Sequence, residues 1–105
     1  MTFEHEGKTY EIAYSIGRVR LYEREHDPII KTVAEHNGIL SVEDLLALSA
    51  YGLREEGGEW ANPGEASAIA EKLLVDGGYM GLQSAVMQAI RRDCGFFFQA
   101  MKQAR

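Results

Sequence analysis

The first twenty-five residues constrain the fold most, because two different periodicities meet there with no linker between them. Phe3 and His5 alternate before Glu6-Gly7-Lys8, and Tyr10, Ile12 and Tyr14 alternate after it. Every second side chain of a strand shares a face, so Tyr10, Ile12 and Tyr14 form an apolar strip. Gly7 supplies the turn, since glycine takes positive φ without steric cost. The rhythm then becomes helical: Ile16, Val19 and Tyr22 recur every three residues beside Arg18, Arg20, Glu23, Arg24 and Glu25. That is a surface helix with one buried edge. A two-stranded hairpin is not stable alone, so its apolar face must dock on the helices that follow.

The remaining chain reads as helices with clear punctuation. Asp27 before Pro28 is a cap and a first-turn proline, after which Ile29, Ile30, Val33 and Ala34 form one face. Asn37-Gly38 stops that helix. Ser41-Val-Glu-Asp44 resembles a capping box, opening a helix with Val42, Leu45, Leu46, Ser49 and Leu53 inward. Gly57-Gly58 breaks it, Asn62-Pro63-Gly64-Glu65 opens the next, and Gly77-Gly78 ends that one. The expected order is a hairpin over about 2–14 and helices over about 15–26, 28–36, 41–56, 63–76 and 79–103. The fold class is α+β: one mostly helical domain over 1–105, with the N-terminal hairpin packed on four to five helices. Tyr51-Gly52 lets another helix approach closely, and Trp60 either anchors an interface or, as the preferred reading, covers the end of the helix after it, near Ile69 or Leu73.

Composition narrows the function classes. A chain of 105 residues with 46% apolar residues is too hydrophobic for a disordered segment and long enough to bury about two-thirds of its unfolded surface. No run of eighteen apolar residues spans a membrane, the acidic start is unlike a signal peptide, and Cys94 has no internal partner, which together point to the cytosol. The net charge of −5 is unevenly placed. Residues 1–78 carry seven Lys/Arg against fifteen Asp/Glu, and residues 79–105 carry four against one. The acidic body argues against general nucleic-acid binding. The basic residues at the end (Arg91, Arg92, Lys102, Arg105) are better read as complementing a helix C-terminus.

Catalytic chemistry has little to stand on. His5, His26 and His36 lack metal-ligand spacing, the glycine doublets lack the lysine of a phosphate loop, and Cys94 lies on an apolar helix face where thiols are packed and inert. No cofactor, metal or catalytic residue is expected.

The last segment is the candidate binding surface. Met80, Met87, Cys94 and Met101 fall seven residues apart, along one side of a helix, and Val86, Ile90 and Phe97 widen the stripe. Methionine is flexible and polarisable, which suits a surface that repacks around varied partners. Phe96-Phe97-Phe98 points three rings in three directions. The expected partner-binding residues are Met80, Met87, Ile90, Phe96, Phe97, Phe98 and Met101, with core packing as the competing role of the stripe. Gly95 is the weak point, where a break folds the Phe-rich end back as a short separate helix.

One resemblance adds to this reading. The pattern Phe3-x-x-x-Gly7-Lys8-x-Tyr10-x-Ile12-x-Tyr14-x-Ile16, then Leu21-Tyr22-Glu23-Arg24-Glu25 and Pro28-Ile29-Ile30, resembles the tail assembly chaperones of long-tailed bacteriophages. It covers the N-terminal third best and the helical order more loosely. The resemblance implies a small helical protein with an N-terminal hairpin that binds the tape measure protein and keeps it soluble. It also implies help to tail-tube subunits polymerising around that protein, self-association, and residence in the host cytoplasm rather than the mature virion. Two other classes stay open: a structural tail or neck subunit retained in the virion, and a small regulatory protein that binds nucleic acid through its basic end.

Overall fold

In a computed structural model, which describes residues 1–98, the hairpin forms as its alternation requires. Strands β1 (Thr2–His5) and β2 (Lys8–Ile12) pair antiparallel, with Phe3 opposite Tyr10 and His5 opposite Lys8. The two-residue loop holds Glu6 at φ 50° and Gly7 at φ 78°. Two successive positive φ values make a turn whose twist matches that of the strands it joins. Tyr10, Ile12 and Tyr14 are all buried.

A third strand is the main departure from the sequence reading. Helix α3 (Val42–Gly52) does not continue to residue 56; Leu53–Glu55 forms β3 and pairs antiparallel with β2, giving the order β1-β2-β3. Leu-Arg-Glu-Glu favours a helix locally. The open edge of β2, however, offers unpaired backbone groups. Ala13 N–H donates to Gly52 O at 2.8 Å and Glu56 N–H to Thr9 O at 2.9 Å. Across the pair, Arg54 Nε donates to Glu11 Oε2 at 2.7 Å. Gly52 permits the crossing: a Cβ there would lie 2.8 Å from the Tyr14 ring and 3.0 Å from Ile12 Cγ2. Its bare face therefore receives a tyrosine ring, not a helix.

The helices keep the expected order with shifted ends. Helix α1 (Ile16–Glu23) starts where Ser15 Oγ accepts the Arg18 amide, and it buries Val19 and Tyr22 while Ile16 is 66% exposed. Helix α2 (Ile29–Ala34) runs into a 3₁₀ turn at Glu35–Gly38. Its first amide is capped from α1, by Glu23 Oε2 at 2.8 Å, whereas Asp27 pairs with Lys31. Ser41 caps α3 by accepting the Asp44 amide at 3.0 Å. Val42, expected inward, is exposed at the first position of α3. Asn62 caps α4 (Pro63–Gly77), and α5 spans Tyr79–Asp93.

The protein is an α+β domain, mostly helical, with α3 packed against α1, α4 and α5. Tyr22, Ile29, Leu45, Leu48, Leu53, Leu82 and Ile90 fill its centre. Tyr14 ties the sheet to α3 by donating its hydroxyl to Leu48 O at 2.7 Å. Among the described residues, no helix is long and apolar enough to cross a membrane.

Candidate partner-binding site

The structure splits the methionine stripe. Met80 is 69% exposed on the first turn of α5, but Met87 and Ile90 are buried, as is Cys94. This corrects the expectation for Met87 and Ile90: both face the core, where they pack with Val86, Leu82 and Ala89. A seven-residue repeat drifts by only about 20° on a straight helix, so Met80 and Met87 share a side of α5. They differ in position along it: Met80 sits in the first turn, and Met87 at mid-helix belongs to the core cluster. Met101 lies outside the described residues.

The expected long helix over 79–103 is also corrected, because α5 ends at Asp93 and a 3₁₀ turn follows at Gly95–Phe97. The end is fixed by the sheet. Asp93 Oδ2 accepts the Tyr14 amide at 3.0 Å, and Arg92 Nη2 donates to Ile12 O at 3.0 Å and pairs with Asp93 at 2.6 Å. Burial pushes the Asp93 carboxyl up, but the Arg92 guanidinium and the Tyr14 amide outweigh it and hold it below the usual carboxylate range. Arg92 is thus a structural clamp, while Arg91, one step round the helix, has no hydrogen bond or ion pair among the described residues. Beyond the break, Phe96 is 43% exposed, and Phe97 and Phe98 are half-buried against the core. The Phe96 and Phe97 rings touch, with centroids 4.7 Å apart.

Exposed Met80 forms one wall of a groove of about 310 Å³ beside α5. Asn37, Gly38 and Ile39 form the opposite wall, and Gln83, Ser84, Met87, Gln88 and Arg91 complete it. Ile39 is 63% exposed. Asn37 and Gly38 hold φ values of 59° and 82°, which turns the chain so that Ile39 faces outward and Leu40 inward. Gln83 fastens that wall to α5: its Nε2 donates to Gly38 O at 2.6 Å and its Oε1 accepts the Leu40 amide at 3.3 Å. Tyr79 adds a hydroxyl donated to Leu40 O. Sequence reasoning placed Met80 here but missed Ile39, since an isolated isoleucine beside a turn carries no periodic signal.

Other conspicuous side chains are accounted for by packing. Cys94 is fully buried, and burial pushes its thiol up to about 11, away from the thiolate. His26 stacks on Tyr22 with centroids 4.6 Å apart. Trp60 donates its indole N–H to Ala13 O at 2.9 Å and carries the Arg54 guanidinium 4.9 Å from its ring, which closes the sheet; it also lines a cleft with Ile69. Among the described residues, no cluster of three His, Cys, Asp or Glu side chains has the arrangement to hold a metal ion. No protein-family model, curated protein or solved structure matches this chain.

Proposed function

We propose that this protein is a non-enzymatic tail assembly chaperone of a long-tailed bacteriophage, which binds the tape measure protein and keeps it soluble while tail-tube subunits assemble around it. The observation that carries the reading is the pair of exposed apolar side chains, Ile39 and Met80, on the two walls of one groove. Large apolar side chains held outward on both sides of one groove are what a partner surface needs. The N-terminal pattern from Phe3 to Glu25 supplies the family likeness. A very long helical protein exposes apolar stripes before assembly and aggregates unless they are covered. Binding in many copies along such a chain accounts for the self-association that the likeness implies.

The role of Arg92 disfavours the nucleic-acid reading, because its guanidinium is paired with Asp93 and donates to Ile12 O. Co-expression with the tape measure protein tests the proposal. A partner recovered in the soluble fraction only when this chain is present, and retained with it on an affinity column, is the expected result. An insoluble partner with no complex rejects the chaperone role, and detection of the chain in purified particles then supports a structural subunit.

A further inference from the structure

Arg18 carries a charge that the fold answers only in part. Its Nε donates to Tyr51 O at 2.9 Å, but Nη2 is buried without a hydrogen-bond partner among the described residues. The guanidinium lies 5.8 Å from the Tyr51 ring and 5.6 Å from the Trp60 ring, and no carboxylate of the described residues pairs with it. A half-buried cation without a counter-charge favours an anion supplied from outside. Arg18 lines a cleft of about 310 Å³ with Leu21, Arg24, Glu25, Tyr51 and Pro63. Arg24 is exposed and likewise unpaired among the described residues. Glu25, the acid of this cleft, accepts the Tyr51 hydroxyl at 3.3 Å and pairs with neither arginine. On a chain of net charge −5, α1 thus holds a concentrated cationic site.

The same chain supplies a fitting anion. Beyond β3, Glu56-Gly57-Gly58-Glu59 forms an exposed turn. Neither glutamate side chain has a hydrogen bond or ion pair among the described residues. A Cβ added at Gly57 would meet nothing within 4 Å, so the turn stands clear of the domain. Glu59 immediately precedes Trp60, against which Arg18 lies, so turn and cleft adjoin without pairing within one chain. A face that carries both is self-complementary: a twofold axis sets the turn of each copy against the cleft of the other. We infer that this face joins two copies of the chain, with Glu56 and Glu59 of each received by Arg18 and Arg24 of the other. Every pair is then made twice, and Leu21 and Pro63 give the cleft an apolar rim that strengthens it by excluding water. The inference needs no second protein and stands apart from the chaperone proposal.

The test is sedimentation equilibrium of the full-length chain over a range of concentrations, at low and at high salt. The expected result is a monomer–dimer equilibrium whose dissociation constant rises about tenfold or more with salt. Arg24→Glu and the double variant Glu56→Arg/Glu59→Arg alter exposed side chains, so far-UV circular dichroism should be unchanged while each weakens self-association by about tenfold or more. An equimolar mixture of the two variants should recover a dimer containing one copy of each, because the reversed turn then meets the reversed cleft. A wild-type chain that stays monomeric at low salt overturns the inference. So does a dimer that ignores both salt and the two variants, since another face then holds it. Failure of the mixed variants to recombine overturns the pairing of turn with cleft. All of these results are read on the chain alone, so their failure is distinct from a failure to solubilise the tape measure protein.

Discussion

Gly52 shows how much one missing side chain decides. Its α-carbon lies where the Tyr14 ring crosses from sheet to helix, and that ring is pinned by its hydrogen bond to Leu48 O. Gly52→Ala has no room to be absorbed and should destabilise the domain by about 1–3 kcal/mol, measured by urea unfolding. Ile90 and Met80 make the opposite comparison, since both belong to the same apolar pattern on one helix. Ile90 is 1% exposed and Met80 69%. Ile90→Ala should cost about 2–5 kcal/mol through the cavity it leaves. Met80→Ala should stay within about 0.5 kcal/mol, and equal losses in the two variants would contradict this placement.

At the scale of elements, the ends matter more than the middles. Helix α3 is held at its start by Ser41 and at its finish by strand pairing, not by a glycine cap. Ser41→Ala should cost about 1 kcal/mol, seen as a lower unfolding midpoint with an unchanged denaturant slope. The β3 segment is stabilised from three directions: by Glu11 across the strand pair, by Ala61 N–H donated to Leu53 O, and by Trp60 beside Arg54. Desolvation pushes the Glu11 carboxyl up, but the Gly57 amide and the Arg54 guanidinium outweigh it and hold it below its ordinary value.

Over the whole molecule, the clamp between the sheet and the end of α5 links stability to pH. Asp93 is held below its ordinary value near 3.8 in the folded chain, so between those two values the unfolded chain binds more protons. Stability from this group is therefore complete above about 3.8 and is lost as pH falls through the lower, folded value. Urea midpoints should decline as the solution is acidified below pH 4. Asp93→Asn should be less stable at neutral pH and should show a shallower acid decline. An identical acid limb in the variant would mean that the clamp contributes nothing to it.

The hairpin, the order of the helices and most of their starts were legible in the sequence, because each depends on residues within a few positions of one another. The alternation of Tyr10, Ile12 and Tyr14, the Glu6-Gly7 turn and the caps at Ser41 and Asn62 are all local facts. The third strand, the capping of Ile29 by Glu23 and the early stop of α5 could not be read this way. Each is set by a partner distant in the chain or on another element: the β2 edge for Leu53–Glu55, the end of α1 for α2, and Tyr14 and Ile12 for Asp93 and Arg92. The candidate site divides along the same line. Periodicity placed Met80, Met87 and Ile90 on one helix, but only the packing of α5 against α3 and α4 decided which of them face the core. Ile39 joined Met80 because a turn forty residues away in sequence came to lie beside α5. A sequence fixes the short-range free energies of turns and helix starts, whereas burial is a property of surfaces meeting, and that exists only once the chain has folded.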